Sequence, residues 1–207
     1  MMGKGLVYVE GLEWIKHKRI LNPAFSVEKL KVMVKRMAAC AISMLEEWKD
    51  LPTMSKDGSI MIEMNVELQK LTADIIAHTT FGSNYMQGKA VFEAQRQLQE
   101  WCAATSFNIF IPGTQYLPTP SNIRIWKLDW KMRRSLMQTI KSRVKIFKTS
   151  IESSPNCCFG DDVLGMMIAS SKATQAKGEL KLHMNEIMDE CKTFFFAGHE
   201  TTSTLLT

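Results

Sequence analysis

Apolar side chains recur at spacings of three and four residues along several parts of the chain, which is the period of an α-helix with one buried face. The first such stretch follows Ser26, a candidate N-cap, and predicts a long helix. Its apolar positions are Val27, Leu30, Val34, Met37, Ala41, Met44 and Trp48. After the turn signal Lys56-Asp57-Gly58, the apolar residues Ile60, Ile62 and Met64 begin either a short strand or a second helix, which Phe81-Gly82 closes near residue 80.

The middle of the chain continues the helical pattern. The period covers residues 89–105, and the proline-containing stretch 107–120 predicts a loop. Residues 122–148 then predict a long, basic amphipathic helix. Its apolar stripe consists of Ile125, Leu128, Met132, Leu136 and Ile140.

Two further helices are predicted near the end of the chain. After a break at 153–160, Asp161-Asp162 cap a helix that runs to about Ser170. The polar residues 171–179 predict a mobile surface loop, and the final helix starts near Met184. Because the helical period dominates and no internal repeat is visible, the fold class is predicted to be mainly α.

Composition narrows the classes of function only slightly. The chain has 207 residues, of which 26 are basic and 21 acidic, and its net charge of +5 is far from that of a dedicated nucleic-acid-binding protein. Its five cysteines include no C-x-x-C pair, so neither a disulfide framework nor a zinc site is predicted. No apolar run approaches the roughly 20 residues that span a bilayer.

The hexapeptide Ala197-Gly198-His199-Glu200-Thr201-Thr202 places small residues, an acid and two hydroxyls inside a helical pattern. Glycine costs up to about 1 kcal/mol relative to alanine in a helix interior, so its presence needs a physical reason. One interpretation is that Gly198 lets a ligand lie close to the helix, while the Thr201 hydroxyl donates to the Ala197 carbonyl and loosens the helix locally. The result would be a groove that contains a proton donor.

Two other interpretations compete with this one. The small residues could make a contact where another helix crosses, with Glu200 in solvent, and spacing alone leaves this alternative as open as the first. His199-Glu200 also begins the H-E-x-x-H pattern of zinc proteases. Ser203 occupies the position of the second histidine, which excludes that class.

Together with its flank, this segment resembles a known family. Ala197-Gly198-x-Glu200-Thr201-Thr202 is similar at every fixed position to the oxygen-binding helix motif of cytochromes P450, (A/G)-G-x-(D/E)-T-(T/S). The preceding residues Glu190-Cys191-Lys192-Thr193-Phe194-Phe195-Phe196 are similar to the plant membrane-bound clan that includes hormone- and terpenoid-modifying hydroxylases.

A second motif near the start of the chain agrees with this resemblance. Trp14-Ile15-Lys16-His17-Lys18 resembles the W-x-x-x-R helix of the family, whose tryptophan and arginine hydrogen-bond a haem propionate. Lys18 stands where the family has arginine, and Arg19 follows one residue later. A lysine neutralises a propionate as a point charge but lacks the planar fork of arginine.

The resemblance implies a partial cytochrome P450 domain over residues 1–207, from the propionate-contacting helix to the first half of the oxygen-binding helix. The N-terminal anchor and the loop with the haem-thiolate cysteine are expected to lie outside this chain, so no residue of the chain is expected to ligate a metal. The complete enzyme would be a monooxygenase that uses haem b and O₂ to hydroxylate a lipophilic small molecule, such as a terpenoid, a hormone or a fatty-acid-like compound.

The same resemblance implies partners and residue roles. Electrons would come from NADPH through NADPH-cytochrome reductase, at the cytosolic face of the endoplasmic reticulum membrane, and no nucleic acid is expected to bind. Thr201 would hydrogen-bond the bound oxygen, and Glu200 would relay protons to it. Ala197 and Gly198 would leave room for the oxygen. Trp14 and Lys18 would hold a propionate.

A rival class is a non-catalytic helical interaction protein or an inactive truncated product. Basic residues of the long helix would then form a site for an acidic partner or a membrane surface, although such a row is usually a solvated face. These residues are Arg124, Lys127, Lys131, Arg134, Lys141, Arg143 and Lys148.

Overall fold

The computed structural model describes residues 3–50, 61–82, 91, 93–98, 116–153, 162–172 and 181–207. Within these ranges the regular elements are helices, so the mainly α class is confirmed. The elements are α1 (Gly11–Leu21), a 3-10 turn (Asn22–Phe25), α2 (Val27–Lys49), α3 (Met64–Phe81), α4 (Pro120–Ser153), α5 (Val163–Lys172), α6 (Met184–Phe195), a π-helical turn (Phe196–Glu200) and α7 (Thr201–Leu206).

The boundaries of α2 and α3 agree with the sequence pattern. Ser26 precedes α2 at the N-cap position, although its side chain makes no capping hydrogen bond. Of the residues for which the sequence left a strand or a helix open, Met64 begins a helix and Ile62 lies in irregular structure before it, while Ile60 lies outside the described residues. Gly82 ends α3 in the left-handed region with φ of 58°, and its amide donates to the Ala77 carbonyl, a common way for a helix to end on glycine.

The buried face of α2 is not the apolar face that the sequence indicated. Val27 and Val34 are 69% and 60% exposed, whereas Met33 and Cys40 are buried. The helix packs against α3. The direction from which α3 approaches decides which side of α2 is covered, and no periodicity within α2 encodes that direction.

The apolar stripe predicted for the long helix is confirmed. Ile125, Met132, Leu136 and Ile140 are buried, and Leu128 packs against the same core. The helix α4 contacts α5 and α6 through this side. Burial of each such side chain stabilises the fold by about 1.5–3 kcal/mol, which accounts for the regularity of the stripe.

A carboxylate begins α5, as predicted. Oδ1 of Asp162 accepts a hydrogen bond from the Gly165 amide at 2.7 Å, and its other oxygen pairs with Arg143 of α4. Asp161 lies outside the described residues, as do residues 83–90, 99–115 and 173–180, which hold most of the predicted helix at 89–105 and of the predicted loops at 107–120 and 171–179. Residues 91 and 93–98 are helical, and 171–172 belong to α5.

The helix α6 starts at Met184, as predicted, and packs against other helices on several sides. It contacts α3, α4 and α5, and Ile187, Cys191 and Phe195 are buried along it. The Phe195 ring stacks on the Phe81 ring of α3 with centroids 4.4 Å apart. This packing fixes α6, and with it the turn that follows. Among the described helices, none is both long and apolar enough to cross a membrane.

Candidate active site on the π-helical turn

The helix that begins at Met184 widens where the hexapeptide starts. Phe196–Glu200 forms a π-helical turn between α6 and α7. At this turn the Thr201 hydroxyl donates to the Ala197 carbonyl, which is the contact that the sequence analysis predicted. A hydroxyl that bonds back to a helix carbonyl competes with the backbone ladder, and π turns within α-helices occur frequently at functional sites.

The hydroxyl and carboxylate at this turn face outward. Ala197, Glu200 and Thr201 are all exposed. The Thr204 hydroxyl donates to the Glu200 carbonyl at 2.9 Å, so a second threonine hydroxyl bonds back to the backbone three residues further along. The structure therefore brings together a small residue, an acid and a hydroxyl on one accessible surface.

Gly198 is partly buried and packs against α3. A Cβ atom built there would lie 2.2 Å from Cδ1 and 2.6 Å from Cγ1 of Ile76. A larger residue would therefore displace the Ile76 side chain, which agrees with the helix contact that the sequence left as an alternative. Ala197 and Thr201, in contrast, are exposed.

His199 is held in the same contact with α3. Its Nδ1 atom lies 2.9 Å from Oγ1 of Thr72, and burial lowers the pKa of the imidazole. A neutral histidine bonded to a helix hydroxyl has a structural role here. This contact agrees with the exclusion of a zinc-protease site on His199-Glu200.

The second motif lies on α1. Nζ of Lys18 lies 4.5 Å from the centroid of the Trp14 ring, a cation–π contact, and both side chains are exposed. An indole N–H and an ammonium side by side are donors that suit an anionic oxygen group. Arg19, also exposed, adds a further positive charge to this helix.

Two polar pairs that the sequence pattern did not indicate join α1 to α6, and one of them is fully buried. His17 Nδ1 lies 2.5 Å from Glu190 Oε1, and Lys16 Nζ lies 2.7 Å from Glu186 Oε1. The sequence did contain a signal, because Glu186 and Glu190 are four residues apart and so share a helix face. These pairs fix α1, which carries Trp14 and Lys18, relative to α6, which leads into the π-helical turn before Thr201.

The described residues fit the periphery of a haem. Trp14 and Lys18 offer donors for a carboxylate, and Ala197 beside Thr201 offers a small, exposed surface with a hydroxyl. The described cysteines do not offer the haem a thiolate, because Cys40 and Cys191 are buried free thiols and neither lies on the exposed surface of Trp14 or Thr201. Burial raises the pKa of both thiols.

Comparisons with known proteins identify the family of the chain. The Cytochrome P450 family model matches residues 1–207. Cytochrome P450 709B1 of Arabidopsis thaliana is 50% identical over 207 residues, which cover 98% of this chain and 37% of the relative. Cytochrome P450 72A397 of Kalopanax septemlobus is 39% identical over 209 residues, covering 100% of this chain and 39% of the relative.

A solved structure has the same fold. The crystal structure of the cytochrome P450DA heme domain aligns with a TM-score of 0.70 at 22% identity, over 99% of this chain and 41% of that chain. The chain belongs to the cytochrome P450 family and is similar to its plant members, and it spans about two fifths of the length of the relatives it matches.

Proposed function

We propose that this chain forms the propionate side and the proton-delivery helix of a haem-dependent monooxygenase that hydroxylates a lipophilic small molecule with O₂. The observation that carries the proposal is the exposed Thr201 hydroxyl, which donates to the Ala197 carbonyl of the π-helical turn and follows the exposed Glu200 directly. Membership of the cytochrome P450 family supports the reaction class.

Each residue of the site has a role in this proposal. Haem, when bound, supplies the activation of O₂. Trp14 and Lys18 bind and orient a propionate through their N–H donors. Ala197 keeps the surface beside Thr201 open, and Gly198 acts indirectly by letting the turn approach Ile76 of α3.

Thr201 and Glu200 handle protons. The single proton of the Thr201 hydroxyl is directed to the Ala197 carbonyl, so the lone pairs of Oγ1 remain free to accept a proton from a water or an acid. When Oγ1 accepts a proton from an acid or a water, its own proton can turn away from the Ala197 carbonyl and pass to the haem side, which makes the hydroxyl a relay. The Glu200 carboxylate, exposed to solvent, supplies protons to this relay.

The substrate and partners belong to the proposal as well. A relative named cytokinin hydroxylase, from Arabidopsis thaliana, is 38% identical over 206 residues, which supports a small plant metabolite as substrate. Electrons come from NADPH through a reductase.

We place the protein at the cytosolic face of the endoplasmic reticulum membrane. Exposed Trp126 and Trp130 of α4, with Arg134 stacked 5.2 Å from the Trp130 ring, supply the aromatic and basic side chains that suit a membrane interface.

A chimera tests the proposal. Residues 1–207 replace the matching segment of Cytochrome P450 709B1, and the product is assayed with a plant NADPH-cytochrome reductase. Thr201→Ala should retain the reduced, carbon-monoxide-bound thiolate spectrum but release more of the consumed NADPH equivalents as hydrogen peroxide. Glu200→Gln should slow NADPH-dependent turnover up to about 100-fold, a barrier increase of about 2.7 kcal/mol, because an amide cannot cycle a proton.

Thr202→Ala is the matched control, since Thr202 is exposed on the neighbouring position. It should leave both the spectrum and the peroxide yield unchanged. If Thr202→Ala raises the peroxide yield and Thr201→Ala does not, the relay is assigned to the wrong hydroxyl. If neither substitution changes the yield, the hexapeptide serves packing alone.

A further inference from the structure

A cluster of possible metal ligands lies between α2 and α3, away from the π-helical turn. Cys40 of α2 faces Asp74 and His78 of α3, and one ligand atom from each lies within 4.8 Å of the others. Asp74 and His78 are four residues apart and therefore share one face of α3. Cys40 completes the group from the opposite helix. A thiol, a carboxylate and an imidazole thus meet at a helix–helix contact.

We propose that Cys40, Asp74 and His78 bind a divalent metal ion of the zinc type, which joins α2 to α3. Sulfur, nitrogen and oxygen donors together are the set that zinc takes in proteins, whereas magnesium and calcium take oxygen donors. Three protein ligands leave a fourth tetrahedral position for water.

The geometry is close to what such an ion needs. Bond lengths of about 2.0–2.3 Å in a tetrahedron separate neighbouring ligand atoms by roughly 3.3–3.7 Å. His78 Nε2 already lies 3.7 Å from Asp74 Oδ1. All three ligand atoms lie within 4.8 Å of one another, so shifts of about 1 Å bring the sulfur to the separation that the ion needs.

One end of the proposed metal site is buried and the other is open to solvent. Cys40 is 7% exposed, whereas the side chains of Asp74 and His78 are 31% and 39% exposed. The sulfur therefore forms a dry inner end, and the other two ligands open to solvent. An ion enters from that side and keeps a water as its outer ligand.

The surrounding structure holds the two helices in place for binding. Arg36, one turn before Cys40 on α2, donates to the His78 carbonyl at 3.4 Å. On binding, a divalent cation displaces the thiol proton of Cys40, which leaves to solvent, and its charge balances the thiolate and the carboxylate.

The test uses Zn²⁺ and Co²⁺ as probes on the 207-residue chain. Co²⁺ should give a thiolate-to-cobalt charge-transfer band and the intense visible bands of a tetrahedral site, at one ion per chain, and Zn²⁺ should displace it. Zn²⁺ should also raise the thermal unfolding midpoint, because an ion that binds the folded state stabilises it. Cys40→Ser should remove the charge-transfer band. Asp74→Asn and His78→Gln change partly exposed side chains and should lower the affinity for Zn²⁺ by more than about tenfold. Even residues that only support the ligands of a metal site contribute about 10- to 100-fold to the affinity.

Two matched variants distinguish this site from unspecific binding. Cys191→Ser changes a buried cysteine of α6, and His183→Gln an exposed histidine before α6, and neither belongs to the cluster. Both should bind Zn²⁺ like the parent chain. The proposal is wrong if Co²⁺ gives no thiolate band, or if the two control variants lower the affinity as much as Cys40→Ser and His78→Gln do. In either case the cluster is a hydrogen-bond network between thiol and carboxylate.

Discussion

Nδ1 of His17 and Oε1 of Glu190 lie 2.5 Å apart, and their side chains are 1% and 0% exposed. The two residues are 173 positions apart in the sequence. Their contact ties α1, which carries Trp14 and Lys18, to α6, which leads directly into the π-helical turn. The spacing between the two halves of the candidate site therefore depends on a buried polar pair.

Removing one partner of this pair should destabilise the protein strongly. His17→Ala leaves the buried Glu190 carboxyl without its imidazole partner, and breaking a buried pair costs about 3–5 kcal/mol. Urea unfolding followed by circular dichroism measures the free energy of unfolding. The double substitution His17→Leu with Glu190→Met should cost less than the two single changes added together, because it leaves no buried polar group behind.

An exposed pair serves as the control for that experiment. Lys70 and Glu67 on α3 are in contact, but the Lys70 side chain is 56% exposed. Lys70→Ala should change the free energy of unfolding by no more than about 0.5 kcal/mol, as exposed helix pairs do. Equal losses for His17→Ala and Lys70→Ala would contradict the role assigned to the buried pair.

Stability should fall in acid because of Asp129. Burial by itself would raise the pKa of this carboxyl, but Lys192 and Arg133 outweigh burial and hold the pKa below its usual range. Lys192 Nζ lies 2.7 Å from Oδ1, and the lysine side chain is 1% exposed. The contribution of the pair is therefore present above about pH 4, the usual value of an unfolded aspartate, and is lost as the pH falls through the lower folded value.

Asp129→Asn tests this dependence. The variant should be less stable than the parent at pH 7, since it removes the carboxylate that faces a buried ammonium. The difference between the two should shrink as the pH falls below about 4, where the unfolded parent chain binds a proton, and should level off below the lower pKa of the folded carboxyl. Urea unfolding at a series of pH values gives both curves. Parallel curves over the whole range would contradict the assignment.

Gly198 can be tested as a packing residue, separately from any ligand. Gly198→Ala adds a Cβ that would lie 2.2 Å from Cδ1 of Ile76. In the parent background this substitution should lower the free energy of unfolding by about 1 kcal/mol, because overpacking costs more than the gain in helix propensity returns. In an Ile76→Ala background the same change should be neutral or stabilising. Thermal unfolding of the four chains measures the coupling. Equal costs in both backgrounds would mean that Gly198 is required for another reason.

The sequence by itself determined the class and most of the helices. The period of the apolar residues predicted α4 and its stripe, because a helix that packs along its whole length buries a side chain at every third or fourth position. Asp162 and Gly82 marked helix ends because their local chemistry, a carboxylate acceptor and a left-handed backbone, acts within a few residues. The bond from Thr201 to Ala197 was predictable for the same reason, since it spans four residues of one helix.

Only the tertiary structure decided what lies across from each helix. The buried side of α2, the contact of Gly198 with Ile76, and the pairing of His17 with Glu190 all depend on which helix approaches from which direction. The cluster of Cys40, Asp74 and His78 is another example, because its cysteine is 34 or more residues from its other members and forms no recognisable spacing. The period of apolar residues indicates that one face of a helix is buried. Which helix covers that face depends on packing between segments distant in the sequence, and the pattern within one helix contains no information about that packing.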